Sequence, residues 1–89
     1  MKTLPDSVSC YNTTAVFTED TMPEGIKKDH FTKRGTWGII RVHEGELEYV
    51  TGNGKTHILN SEKPGLIEPE VKHFVKPRGA VVFHLEFYK

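Results

Sequence analysis

The sequence contains little of several residue types, and each shortage excludes a class of protein. Cysteine occurs once, at Cys10, so the chain cannot form an internal disulfide, which fits a reducing compartment. No hydrophobic run approaches the roughly 20 residues that span a bilayer. Residues 1–6 also lack the apolar stretch of a signal peptide. We therefore expect a cytoplasmic protein that does not enter a membrane.

Charge of one sign is also missing, because 12 basic residues balance 12 acidic ones. Proteins that bind nucleic acid need a basic excess to neutralise phosphates, so we expect no nucleic-acid partner. The 89 residues allow a single domain, over 1–89. A domain of this size buries only about 60% of its unfolded surface. A small barrel of this type exposes apolar strand surface, and a second copy of the chain would cover it. We therefore expect a homodimer.

A helical repeat of apolar residues is absent, since no segment keeps a 3.6-residue period over three turns. Short segments rich in β-branched and aromatic residues instead alternate with Gly and Pro. Seven or eight such strands predict an all-β fold, either a β-sandwich or a small barrel. The main predicted strands are 26–31, 36–43, 46–50, 55–59 and 80–88.

Turn residues separate these predicted strands. Glu44-Gly45 is predicted to break one strand, and Gly52-Asn53-Gly54 to form a tight hairpin turn. Pro77-Arg78-Gly79 is predicted to be the turn before the last strand. Side chains alternate in that strand, so Val81, Phe83, Leu85 and Phe87 are predicted to share a buried apolar face. The even-numbered positions lie on the other face.

Two histidines and a carboxylate from separate segments form a candidate metal site: His30, His73 and Glu86. This is the ligand set of non-haem iron or catalytic zinc, so the expected cofactor is a divalent transition metal, Zn or Fe. A carboxylate in an apolar strand is costly unless it is paired or ligating. His84 shares the face of Glu86 and is the alternative to His30. The ordinary alternatives are hydrogen-bonded histidines and an outward-facing edge carboxylate.

Three further residues are candidates for the same ligand pocket. Glu68 is a second carboxylate, or a surface charge near a turn. Trp37 is a pocket floor, or a core or interface residue. Lys33 beside Arg34 would attract an oxyanion, or belongs to a solvated turn. The remaining histidines are most simply surface residues: His43 and His57.

The order of these turns and candidate ligands resembles that of the cupin superfamily of small jelly-roll barrels. Gly65, Pro69 and His73 follow the order of the second cupin motif, with Pro and His one residue closer than usual. In the first motif the glutamate position falls on Gly38, and only His30 lies near the histidine positions. The resemblance implies a cupin-like jelly roll in which His73 is the best-matched pocket residue.

Four motifs together resemble the TehB/YeaR-like domain, a small cupin-like module of tellurite-resistance proteins. They are Met22-Pro-Glu-Gly25, the stretch 30–38, Ile67-Glu-Pro69 with His73, and Leu85-Glu-Phe-Tyr88. The resemblance implies tellurite resistance or a related bacterial stress response. Longer family members carry an S-adenosylmethionine-dependent methyltransferase domain. This chain has no glycine-rich strand-to-helix loop, so we expect no S-adenosylmethionine site in it.

Two functions from different classes follow. The first is a binding module that holds a metal ion, a small polar molecule or an oxyanion in the barrel pocket. The second is a metal-dependent cupin enzyme, oxygenase- or hydrolase-like, with a two-histidine, one-carboxylate site. Gly38 in place of the cupin glutamate favours the binding module, unless Glu86 substitutes for it. A third option is a domain whose role is dimerisation.

Overall fold

Residues 3–28 and 32–89, which this computed structural model describes, fold into a six-stranded antiparallel sheet. The elements are β1 (Cys10–Thr13), β2 (Phe17–Thr18), a 3-10 helix (Glu24–Lys27), β3 (Trp37–Thr51), β4 (Thr56–Leu59), β5 (Gly65–Ile67) and β6 (His73–Tyr88). The strand order is β1-β6-β3-β4, with β2 paired to β6 and β5 paired to β3. The predicted all-β class is confirmed, and the arrangement is consistent with a small β-sandwich or cupin-like barrel.

Two long strands, β3 and β6, form the ribbon on which the rest of the fold is built. They pair from Trp37 opposite Tyr88 to Thr51 opposite His73, with register shifts around Glu44. Such bulges bend a strand and increase its twist. Val75 and Leu85 would lie about 33 Å apart along a straight strand, yet both line one small cavity. The ribbon therefore folds over the core, and its two halves supply opposing walls.

Two predicted turns are wrong, because the ribbon continues through both. Gly45 and Gly79 adopt positive φ, +79° and +77°, and each lies inside a strand. A left-handed residue within a ladder makes a bulge as readily as it ends a strand. The strand predicted over 26–31 is not observed at its first residues, because Ile26 and Lys27 belong to the 3-10 helix. The Gly52-Asn53-Gly54 hairpin turn is confirmed between β3 and β4.

The core fills the space between the two halves of the ribbon. The alternation predicted for β6 is confirmed, because Val81, Phe83 and Leu85 are buried while His84 and Glu86 are only half-buried. Full burial of one such side chain stabilises the fold by about 1.5–3 kcal/mol. The buried apolar cluster consists of Met22, Ile40, Val42, Leu47, Tyr49, Leu59, Ile67, Val75, Val81, Phe83 and Leu85.

Two properties bear on the expected partners. In residues 3–28 and 32–89, no helix is long and apolar enough to cross a membrane. Within the same ranges, the exposed large hydrophobic side chains are Tyr11 and Val16, in and just after β1. The predicted homodimer stays a prediction.

Candidate functional site

Two members of the predicted metal trio, His73 and Glu86, lie in different places. His73 points into the core, where it is 2% exposed, and its Nδ1 lies 2.9 Å from the Val71 carbonyl oxygen. Glu86 belongs to the same strand but has the opposite side-chain parity, so it faces outward. The structure therefore does not bring these two residues together. His30 lies outside the described residues, and its role stays a prediction.

The Glu86 carboxylate lies among polar neighbours on the outer face of the ribbon. It accepts hydrogen bonds from Tyr88 Oη at 2.9 Å and from Arg41 Nε at 3.3 Å on Oε1. Its Oε2 lies 2.9 Å from His84 Nε2. Burial alone would raise the pKa of Glu86, but the hydrogen bonds from His84, Tyr88 and Arg41 outweigh it and lower that pKa. Glu86 is therefore a paired carboxylate, and this pairing explains why a charged group can lie in an otherwise apolar strand.

The interior does not fit a cupin-type metal at the described positions. A β-carbon added to Gly38, the cupin glutamate position, would lie 3.1 Å from Ile67 Cδ1 and 3.2 Å from Ile67 Cβ. The cavity beside His73 holds only about 10 Å³, and its other lining residues are apolar. Across residues 3–28 and 32–89, no group of three His, Cys, Asp or Glu side chains could hold a metal ion together.

The remaining predicted pocket residues are also dispersed. Trp37 lies at the end of the ribbon opposite Tyr88, on the outer face. Lys33 is exposed in the turn that precedes β3, where its carbonyl accepts a hydrogen bond from the Thr36 backbone N–H at 2.9 Å. Glu68 alone among these candidates lines an open cleft of about 810 Å³.

This cleft lies beneath the β3–β4 hairpin and beside β5. Its base is apolar, formed in part by Leu59 and Leu66, and its rim carries the cations Lys55 and Lys63. An apolar cleft with a few convergent polar groups is the usual form of a small-molecule site. The full lining is Tyr49, Thr51, Gly52, Asn53, Lys55, His57, Leu59, Lys63, Pro64, Gly65, Leu66, Glu68 and Val71.

Tyr49 connects the core to this cleft. Its ring belongs to the buried cluster, and its hydroxyl donates a hydrogen bond to the Leu66 carbonyl at 3.0 Å. Burial, followed by the nearby charge of Glu68, raises the pKa of Tyr49 to about 12. The hydroxyl therefore stays protonated at neutral pH. The half-buried His57 ring lies 5.9 Å from the Tyr49 ring, centroid to centroid, and supplies a second polar group at the cleft wall.

Most of the cleft residues are not predicted from the sequence. The sequence indicates a surface position for His57 and no role for Tyr49, Lys55 or Lys63. One signal was present, because these residues flank the Gly52-Asn53-Gly54 turn and Lys63-Pro64-Gly65 follows shortly after. Only the four residues of β4 separate the two turns, so the turns lie within about 15 Å of each other. That juxtaposition could have indicated a cleft, although not its depth.

Comparison with known proteins identifies the family. The model of the TehB-like domain matches residues 12–85, which is most of the chain. The chain belongs to the TehB-like family. It is 33% identical over 79 residues to a probable S-adenosyl-L-methionine-dependent methyltransferase TehB from Haemophilus influenzae. That match covers 82% of this chain and 28% of the relative, so the chain spans less than a third of the curated relative's length.

Solved structures share the fold. The crystal structure of TehB from Haemophilus influenzae superposes with a TM-score of 0.83 at 32% identity, over 93% of this chain and 32% of that one. A crystal structure of an Escherichia coli K12 protein superposes with a TM-score of 0.90 over 100% of this chain and 97% of that one. Its identity is 18%, so this likeness shows the fold alone.

Proposed function

We propose that this TehB-like domain is a binding module that takes a small polar ligand, of the oxyanion class, in the cleft beneath the β3–β4 hairpin. The observation that carries the proposal is the cleft itself, about 810 Å³ in volume. Small-molecule sites typically measure about 300–1,000 Å³ and combine an apolar wall with a few polar groups. The cleft of this domain has both the size and the composition of such a site.

The charges at the rim favour an anion. Lys55 and Lys63 are exposed cations at the cleft, and the half-buried His57 contributes a ring nitrogen. Glu68 also lines the cleft and carries the opposite charge, so the ligand would place its charge toward the lysines. Oxyanions bind through charge-assisted hydrogen bonds from cationic N–H donors. Tellurite, the oxyanion associated with the family, is the first ligand to test.

The family relationship supports binding rather than a complete reaction in this chain. The methyltransferase activity in the relatives' name belongs to proteins of which this chain spans 28%. We propose that the domain delivers or senses a ligand for such a partner activity. No observation favours the metal-dependent enzyme as a second candidate. A homodimer and a cytoplasmic location remain part of the proposal.

The test is titration of the purified protein with tellurite, sulfate and phosphate, followed by isothermal calorimetry and amide NMR shifts. Tellurite reacts with thiols, and Cys10 is an exposed free cysteine, so the measurements use a Cys10→Ser background. We expect a saturable site whose shifted amides lie in 49–71. Lys55→Gln and Lys63→Gln together should weaken binding about 100-fold or more, because each removes one charged hydrogen bond worth about 1.5–3 kcal/mol.

Lys76→Gln is the matched control, since Lys76 is exposed on β6 and does not line the cleft. It should leave the affinity unchanged. Equal affinity in the Lys55→Gln/Lys63→Gln variant and the wild type would contradict the proposal. Saturable shifts confined to residues outside the cleft would contradict it as well.

A further inference from the structure

The outer face of the ribbon carries a hydrogen-bonded chain of two histidines and a carboxylate. His43 Nε2 lies 2.7 Å from His84 Nδ1, and His84 Nε2 lies 2.9 Å from Glu86 Oε2. The two imidazole ring centroids lie 4.9 Å apart with planes inclined by 30°, so the rings meet edge to edge through these two nitrogens. This hydrogen-bond network joins β3 to β6 and lies on the opposite side of the sheet from the buried core. None of its members lines the cleft.

This hydrogen-bond network has room for only one hydrogen atom between the two facing histidine nitrogens. Glu86 accepts a hydrogen bond from His84 Nε2, so in the neutral His84 ring Nδ1 is the acceptor. His43 Nε2 then donates to it across the 2.7 Å gap. Two protonated nitrogens could not face each other at this distance. A pair of ring nitrogens that converge on a single proton is also a pair that can converge on a metal ion.

We propose that His43 Nε2 and His84 Nδ1 bind a late divalent transition metal, such as Zn²⁺, Ni²⁺ or Cu²⁺, in place of the shared proton. The proton leaves His43 Nε2 to solvent and His43 Nδ1 takes one up, so the ring stays neutral in its Nδ1–H tautomer. Imidazole is a suitable ligand for each of these ions. Metal–nitrogen bonds of about 2.0–2.1 Å at a tetrahedral angle place the two nitrogens roughly 3.3 Å apart. The gap of 2.7 Å must then open by about 0.6 Å. His43 is exposed, so its ring has room to move.

Glu86 would act as the outer partner of this site. A metal-binding histidine usually donates its other ring N–H to a carboxylate, which fixes the tautomer and the orientation of the ring. His84 already has this arrangement through Nε2, with a side chain that is 15% exposed. Tyr88 and Arg41 hold the other oxygen of Glu86 at 2.9 and 3.3 Å. His84 is therefore pre-oriented before a metal arrives.

The remaining coordination positions would be taken by water. No third His, Cys, Asp or Glu side chain completes the set among residues 3–28 and 32–89. The site is thus a two-histidine surface site with open positions, unlike the three-ligand interior site expected from the sequence. His84 and Glu86 appeared in that expectation as candidates, whereas His43 was assigned to the surface.

The experiment titrates the tag-free, metal-free protein with Zn²⁺, Ni²⁺ and Cu²⁺ by calorimetry, with Cu²⁺ electron paramagnetic resonance to count nitrogen ligands. We expect one ion per chain and two imidazole nitrogens. His43→Ala and His84→Ala should each weaken binding about 100-fold or more, because each removes one of the two ligands. Glu86→Gln should weaken binding about 10- to 100-fold, since it removes only the outer partner. His57→Ala is the matched control for the metal titration and should leave the metal affinity unchanged, because His57 lies on β4 in the cleft and contacts neither His43 nor His84.

Three results would overturn the proposal. The first is a failure of all three ions to bind stoichiometrically, because His43, His84 and Glu86 would then form a hydrogen-bond network only. Another is unchanged affinity in His43→Ala, a substitution at an exposed position that leaves the core intact. The third is loss of metal binding in His57→Ala, which would place the ion in the cleft. Failure of tellurite binding in the cleft would leave this site untouched, because the two sites share no residue.

Discussion

Gly45 in β3 passes so close to the Ala80 carbonyl oxygen in β6 that a β-carbon added to Gly45 would collide with that oxygen. The φ of Gly45 is +79°, in the left-handed region. Gly54, in the hairpin turn, has a similar φ of +85°, but an added β-carbon there meets nothing within 4 Å. The two glycines therefore share a backbone conformation and differ in the space around it.

We expect Gly45→Ala to destabilise the protein more than Gly54→Ala. Both substitutions place alanine in the left-handed region, at a cost of about 1–2 kcal/mol. Gly45→Ala adds a collision with rigid backbone, which costs roughly a further 1–3 kcal/mol. Urea denaturation of both variants measures the difference. Equal losses would show that the bulge at Gly45 relaxes freely, contrary to this account.

Gly38 provides a second steric prediction, because an added β-carbon would press on Ile67 rather than on backbone. Gly38→Ala should lower the free energy of unfolding by about 1–3 kcal/mol. Ile67→Val removes the nearest atom, Cδ1, so Gly38→Ala should cost less in the Ile67→Val background. A double-mutant cycle by urea denaturation tests this coupling. Additive losses would contradict the packing argument.

Much of the strand pattern could be predicted from the sequence because it depends on local chemistry. The alternation of Val81, Phe83 and Leu85 with polar residues fixes which side of β6 is buried, whatever the strand packs against. The hairpin turn at Gly52-Asn53-Gly54 is equally local, since these residues accept positive φ. Both predictions are confirmed.

The relative positions of the predicted metal ligands could not be predicted in the same way, because they depend on whether the polypeptide turns at Gly79. His73 and Glu86 are 13 positions apart, an odd number, so in one continuous strand they face opposite sides. The predicted turn at Pro77-Arg78-Gly79 would have reset that parity and allowed a shared pocket. A glycine of positive φ ends a strand or makes a bulge according to its cross-strand partner, which the sequence does not reveal.

Tyr49→Phe tests the contact that closes the cleft wall. The substitution removes the donor to the Leu66 carbonyl and keeps the buried ring, so we expect a loss of about 1–2 kcal/mol in the free energy of unfolding. Tyr11→Phe is the matched control, because Tyr11 is exposed on β1, and its effect should be near zero. Urea denaturation at pH 7 compares the two. A loss for Tyr49→Phe no larger than that for Tyr11→Phe would contradict the assigned hydrogen bond.

The same tyrosine should make stability fall at high pH. Burial and the charge of Glu68 raise the pKa of Tyr49 in the folded protein to about 12, from 10.0. A raised folded pKa stabilises the protein fully below pH 10, and this contribution is lost as pH rises toward 12, because the unfolded chain ionises first. The difference in unfolding free energy between wild type and Tyr49→Phe should shrink by about 1 kcal/mol from pH 8 to pH 11. Glu68→Gln should bring the tyrosinate absorbance of Tyr49 to lower pH. Parallel pH profiles for wild type and Tyr49→Phe would show that Tyr49 ionises alike in both states.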